Sequence, residues 1–279
     1  MNKLKLRNML QSHLLEDIGD GDLTSQSVFP SNETGSGFFT AKQEGVICGI
    51  AIIKEVYALL DPAIEVKTSV IDGDRVLPGM KIAQVNGPIA SLLTGERVIL
   101  NLIQRMSGIA TITNKCVEKL DDDSIQLCDT RKTVPGLRML DKYAVVTGGG
   151  KNHRYGLYDG VMIKDNHISF CGSIIEAVHK VRKNVGHMVK IEVETETEEQ
   201  VIEAISAGAD VIMFDNRSPE EVRKFARMVP EPIQTEASGG IYLESLESYR
   251  GTGVDCISLG FLTHSVKSLD ISLLVEEEK

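Results

Sequence analysis

Between Asp129 and His167 the chain reads DTRKTVPGLRMLDKYAVVTGGGKNHRYGLYDGVMIKDNH. Seven Lys or Arg residues (131, 132, 138, 142, 151, 154, 164) meet four Asp in that stretch, a local balance of +3 in a chain whose formal net charge is -10. An acidic protein that gathers cations among Gly and His points to a pocket for a small, highly charged anion. Arg offers a planar fork that fits carboxylate or phosphate, and Lys a compact point charge. Arg131, Lys132, His153, Arg154 and Lys164 are the candidate anion ligands. A solvated basic face is the competing reading of the same composition.

Two other groups lie further along. Glu194 and Asp215 are hard oxygen donors suited to Mg²⁺ or to sugar hydroxyls, and no Cys or His stands beside them to suggest zinc. Ser238-Gly239-Gly240 and Gly260 are small-residue turns of the kind that bind phosphate through backbone N–H groups. Each signal alone is weak, because a Gly pair is usually a turn and a lone carboxylate often caps a helix. Together they suggest a phosphosugar with a metal and a second anionic substrate, hence a transferase.

Two textures must position these groups. From about residue 37 to 93 the runs GFFTA, IEVKTSVIDGDRV, MKIAQVNG and PIASLL read as strands around one helix, AIIKEVYALL, with Asp72-Gly73 and Asn86-Gly87 as turn dipeptides. A helix is expected from about Gly95 to Leu120, with a possible break at Gly108. From Ser124 onward, short apolar runs at 125–128, 161–163, 189–193, 211–214, 233–235 and 256–259 alternate with helical stretches. Thr197 and Ser218 are candidate N-caps, and Gly208 and Gly251 candidate helix stops. Repeated βα units mean a doubly wound sheet or a barrel. Chemically capable residues follow every strand here, which is how a β/α barrel builds its site. Six detectable units predict a short or open barrel.

The bulk composition excludes several classes. Hydrophobic residues at 42% and charged residues at 25% suit a globular enzyme. A pI near 5.2 argues against nucleic-acid binding. No apolar run approaches the roughly 20 residues that span a bilayer. The apolar residues of the first 20 positions (Leu4, Leu6, Met9, Leu10, Leu14) are spread at helical spacing rather than gathered as in a signal peptide. Cys48, Cys116, Cys128, Cys171 and Cys256 are scattered, as in a protein with reduced thiols. A cytoplasmic location is expected.

The sequence resembles the quinolinate phosphoribosyltransferase family. The resemblance rests on the central block, on GER, LNL and SGIAT before it, on SGGI and LTHSVKSLDISL after it, and on LLEDIGDGDLTS near the start. It covers essentially the whole chain. It implies an α/β protein with an N-terminal α/β sandwich domain over 1–108, to which 266–279 returns, and an open β/α barrel of six or seven strands over 109–265. The implied reaction joins quinolinate to phosphoribosyl pyrophosphate (PRPP) with Mg²⁺, giving nicotinate mononucleotide, pyrophosphate and CO₂ for NAD synthesis.

By the same resemblance Arg131, His153, Arg154 and Lys164 line the quinolinate pocket. Arg97 reaches it from the neighbouring subunit of a homodimer. Lys132 meets the pyrophosphate, and Glu194 and Asp215 meet the ribose and the metal. Ser238, Gly239, Gly240, Gly260 and His264 cradle the 5′-phosphate. Lys132, Glu194 and Asp215 are the expected catalytic residues. Arg138 and Lys142, on an amphipathic helix, are expected to be solvated or structural, while Asp129 and Asp165 orient the cations nearby. The alternatives are a fold relative acting on another anion, such as the molybdenum-transport-associated paralogues, and a non-enzymatic anion-binding protein. The intact HRYGLYDGVMIKDNH segment with Lys164 disfavours the first, and the Glu194–Asp215 pair disfavours the second.

Overall fold

The computed structural model describes residues 1–275, and positions 276–279 of the expected returning segment lie outside the described residues. The chain opens with α1 (Lys3–Ile18), α2 (Leu23–Val28), β1 (Thr34–Ala41), β2 (Gly45–Val46) and α3 (Ile50–Leu60). It continues through β3 (Glu65–Thr68), β4 (Arg75–Val76), β5 (Lys81–Pro88) and α4 (Ile89–Leu120). Then come β6 (Gln126–Cys128), α5 (Arg138–Thr147), β7 (Val161–Ile163), α6 (Asp165–Cys171) and α7 (Ile174–Asn184). β8 (Ile191–Thr195), α8 (Glu198–Ala207), β9 (Val211–Asp215), α9 (Pro219–Ala226) and β10 (Gln234–Ser238) follow. A 3-10 stretch (Leu243–Tyr249), β11 (Cys256–Ser258), α10 (Phe261–His264) and β12 (Ile271–Val275) complete it.

These elements form two compact units. The first holds Met1–Ile112, Met139–Gly148 and the residues from Val266 on. Its antiparallel sheet has the order β12-β1-β5-β3. α3 buries Ile52, Ile53, Val56 and Tyr57, and Phe39, Ile82 and Val85 are buried from the sheet. On α1 only Leu6, Leu10 and Leu14, one helical turn apart, are buried, whereas Leu4 is exposed. Asn86-Gly87 makes no turn and lies inside β5. The Asn86 side chain accepts from the Ser36 hydroxyl at 2.6 Å across the sheet, and a Cβ on Gly87 would meet Ile64 at 2.8 Å. That glycine serves close approach rather than chain reversal.

The segments 109–112 and 139–148, which the sequence reading left with the barrel, belong to this first unit. α4 runs unbroken through Gly108, and it begins at Ile89 inside a stretch read as strand-rich. α5 is held by two polar contacts within the unit. Arg105 makes a bidentate pair with Asp141 (Nε–Oδ1 and Nη2–Oδ2, both 2.8 Å), and the Tyr143 hydroxyl donates to Asp72 at 2.8 Å. Lys142 is fully buried there, which overturns the solvated reading for that residue.

The second unit, Thr113–Arg138 and Gly149–Ser265, carries a six-stranded parallel sheet in the order β6-β11-β10-β9-β8-β7. Consecutive strands are neighbours from β7 to β11, and the first strand pairs with the last, which is the order of a barrel and not of a doubly wound sheet. Among the described residues β6 and β7 do not pair, so the barrel is open at that seam, and β6 is bridged instead from Cys128 to Lys151. The long cationic connection runs between those two strands. Thr197 and Ser218 cap α8 and α9 through capping boxes, and Gly208 ends α8 in the left-handed conformation.

Candidate active site

Residues two apart on a strand share a face. That parity puts Glu192 with Glu194 on β8, Met213 with Asp215 on β9, and Glu236 with Ser238 on β10. The alternate residues Ile191, Val193, Ile212, Phe214, Ala237 and Ile257 are buried and apolar. The barrel therefore has a polar interior face. Glu194, Met213, Asp215, Glu236, Ser238 and Ser258 line one cleft of about 580 Å³ together with Met162 and Lys164. Thr130, Arg131, Lys132, His153, Arg154, Asn216, Gly239 and Gly240 complete its wall.

Ten of the thirteen residues read from the sequence meet in this cleft. Gly260 and His264 stand at its margin. A Cβ on Gly260 would lie 3.1 Å from Lys132 Cδ and 3.2 Å from the His264 ring, and the Thr263 hydroxyl donates to the Lys132 carbonyl at 2.8 Å. Arg97 is in the first unit, in a hollow with Asp17, Asp22 and Thr94, and does not line the cleft.

The cationic loop is anchored by Asp129, which is fully buried. Its carboxylate accepts from Asn152 Nδ2 at 2.6 Å and from the His153 backbone N–H at 2.9 Å. Asp159 accepts the N–H groups of Tyr155 and Gly156, closing the turn beyond Arg154. Arg154 donates to the Gly160 carbonyl at 2.8 Å. Burial, and next the charge of Arg131, pull the Arg154 pKa down from its ordinary value, so two guanidiniums stand close enough to repel. The Nε of Arg131 is buried with no hydrogen-bond partner among the described residues. An orphaned guanidinium donor beside a second cation is a site shaped for an anion.

His153 is held from beneath. Its Nε2 lies 3.0 Å from Glu192 and 3.5 Å from Glu236, and both glutamates are buried. Burial lowers the imidazole pKa, but hydrogen bonds to Glu192 and then Glu236 outweigh it and push the pKa up to about 10. One contact opposes this: Nδ1 accepts the Arg154 backbone N–H at 2.8 Å, which requires a lone pair on Nδ1. A neutral hydrogen bond is worth about 1 kcal/mol. One pKa unit corresponds to about 1.4 kcal/mol, so the two carboxylates favour the protonated ring against that contact. The three side chains are close enough to ligate a metal, with ligand atoms within 4.8 Å of one another. The positive charge of Arg154 beside Glu192 works against a cation there.

On the other wall Lys164 Nζ pairs with Glu194 Oε2 at 2.6 Å. Burial, and then the Glu194 charge, hold the Asp215 pKa above the usual carboxylate value. Two hard carboxylates that repel one another across a cleft fit a divalent cation bound between them. Gly239 and Gly240 both have positive φ (81° and 65°), a turn that only glycine makes without strain. The Ser258 hydroxyl donates to Ser238 Oγ at 2.9 Å.

Sequence reasoning missed Glu192, Ser258, Met162 and Met213, and placed Thr130, Asn216 and Glu236 at strand ends without giving them a role in the site. The signal was present for Glu192, two residues before Glu194 in an otherwise apolar run. Strand parity alone put it on the same face.

Profiles described as "Quinolinate phosphoribosyl transferase, N-terminal domain" and "C-terminal domain" match residues 22–107 and 109–274. A Bacillus subtilis protein named "Probable nicotinate-nucleotide pyrophosphorylase [carboxylating]" is 62% identical over 98% of this chain and 94% of its own length. A Nicotiana tabacum "Quinolinate phosphoribosyltransferase [decarboxylating] 1b" is 40% identical over 98% of this chain and 83% of its own. The crystal structure of NadC from Streptococcus pyogenes superposes with a TM-score of 0.95 at 37% identity, covering 99% of both chains.

Proposed function

Because the chain belongs to the quinolinate phosphoribosyltransferase family, we propose that the barrel cleft performs that family's reaction, joining quinolinate to PRPP with loss of pyrophosphate and CO₂. The observation that carries this is the meeting in one cleft of a cation wall, Arg131, Lys132, His153, Arg154 and Lys164, with the carboxylates Glu194 and Asp215. A simple anion receptor has no use for those carboxylates.

Arg131, Arg154 and Lys164 bind the two carboxylates of quinolinate, with the His153 imidazolium adding charge from below. Ser238, Gly239 and Gly240, with Gly260 and His264 at the margin, take the 5′-phosphate of PRPP. The pyridine nitrogen forms its bond to the anomeric carbon as the bond to pyrophosphate breaks. Pyrophosphate leaves with the electron pair, next to Lys132. The sugar is partly cationic at that moment, and Glu194 and Asp215 stabilise it more than they do the ground state. The C2–carboxylate bond then breaks, CO₂ departs, and the pair left on C2 is held by the adjacent pyridinium until a solvent proton closes it.

Glu194 and Asp215 are the residues that would hold Mg²⁺, which when bound neutralises charge on the pyrophosphate group. A second copy of the chain supplies Arg97, making the working form a homodimer in the cytoplasm. Among the described residues no helix is long and apolar enough to cross a membrane.

The test is to incubate the protein with Mg²⁺, PRPP and quinolinate, following pyrophosphate, nicotinate mononucleotide and CO₂, with nicotinate in parallel. Product from quinolinate alone is expected. Product from nicotinate alone would keep the transferase chemistry and overturn the dicarboxylate pocket. No product from either would favour an anion-binding protein.

A further inference from the structure

We propose that Asn216 is a positioning residue for Asp215, tying down one carboxylate oxygen so that the other is free to take the sugar of the phosphorylated substrate. The inference rests on the function proposed above and adds a residue to the PRPP half of the site.

Asn216 follows the last residue of β9 and lines the cleft. Its Nδ2 donates to Asp215 Oδ2 at 2.6 Å. Asp215 Oδ1 has no donor among the described residues, so the amide divides the carboxylate into a fixed oxygen and an available one. The Asn216 backbone N–H donates to the Ser238 carbonyl at 2.8 Å, joining the ends of β9 and β10. Arg217 Nε donates to the Asp215 carbonyl at 2.9 Å, securing the backbone behind the pair.

Asn216 has φ +54°, a left-handed conformation that Asn tolerates better than most residues. The bland explanation is that Asn stands here only to make the turn. The packing around the pair argues against it. Gly239, already required as glycine by its φ of 81°, also leaves the space that a Cβ, 2.4 Å from Asn216 Oδ1 and 2.8 Å from Asp215 Oδ1, would fill. A residue chosen only for its backbone would need neither the short amide–carboxylate bond nor that space.

Gly at position 216 accepts φ +54° without strain, so Asn216→Gly removes the amide and keeps the turn. PRPP binding would be measured by calorimetry, together with KM for each substrate, kcat and Tm, for Asn216→Gly, Asp215→Ala and the double variant. Loss of one charge-assisted hydrogen bond predicts a rise of about tenfold in the Kd and KM for PRPP. The KM for quinolinate and the Tm should stay near wild type. The double variant should bind PRPP no worse than Asp215→Ala alone, because Asn216 acts through that carboxylate.

Wild-type PRPP affinity in Asn216→Gly overturns the proposal. So do additive losses in the double variant, or equal weakening of both substrates with a lowered Tm. Failure of the unmutated protein to release pyrophosphate would sink the functional reading instead. In that case the binding comparison between Asn216→Gly and wild type still decides the role of Asn216 for as long as the wild type binds PRPP. If it binds none, both fall.

Discussion

The ring nitrogen Nε2 of His153 sits 3.0 Å from a carboxylate oxygen of Glu192, and both side chains are largely withdrawn from solvent. Glu192 thereby favours a proton on that ring from a position that the substrate does not have to displace. Glu192 Oε1 and Glu236 Oε1 are buried without hydrogen-bond partners among the described residues. The interior is thus arranged for charge and not for maximal stability.

This arrangement sets a pH dependence. The folded pKa of His153, about 10, lies above its unfolded value near 6.5. The stabilisation it contributes is full below about pH 6.5 and is lost as pH rises through about 10. The stability of the wild type over His153→Asn, from urea unfolding, should therefore shrink by on the order of 2–4 kcal/mol between those pH values. A difference that stays flat would mean that the ring is neutral throughout, with its proton on Nε2 and Arg154 donating to Nδ1.

Truncating the cation wall should be costly. Arg131→Ala, Arg154→Ala and Lys164→Ala should each lose about 2–4 kcal/mol of transition-state stabilisation in kcat/KM, the usual range for a lost charged contact. Lys164→Ala should also weaken PRPP, because it leaves Glu194 without its partner at 2.6 Å. Wild-type kcat/KM in all three would refute the pocket assignment.

In the first unit the Arg105–Asp141 pair is a structural device. Asp141 is fully buried, and Arg105 meets both of its oxygens. Arg105→Ala would strand that charge and should destabilise the protein by about 3–5 kcal/mol in chemical unfolding. A loss below about 1 kcal/mol would place the pair among ordinary surface bridges.

Gly108 gives a test in which two effects have opposite signs. Replacing a mid-helix Gly with Ala usually gains about 1 kcal/mol. At this position the new Cβ would lie 2.3 Å from the Lys267 carbonyl oxygen, a backbone atom that cannot swing away. Overpacking of this kind costs about 1–3 kcal/mol, so Gly108→Ala should lower the Tm despite the better helix former. A raised Tm would show that the Lys267 segment moves freely.

The parallel strands and their ligand-bearing ends were legible in the chain because hydrophobic runs and the residues after them are local properties. Thr197, Ser218 and Gly208 did their expected work at helix ends for the same reason. Asn86-Gly87 was misread, and Lys142 proved structural and not solvated, because local patterns, a turn dipeptide and an amphipathic helix, were overruled by what packs against them. Resemblance located the family.

The sequence by itself determined the βα alternation, the cation-rich segment and the carboxylates at the strand ends. Only the tertiary structure decided that Glu192 and Glu236 stand under His153, that Asn216 is bound to Asp215, and that Gly239 leaves room for them. Those residues lie on different strands, brought together by sheet order and register. Register turns one residue inward and the next outward, and a run of side chains read in order does not say which of its neighbours will share the interior.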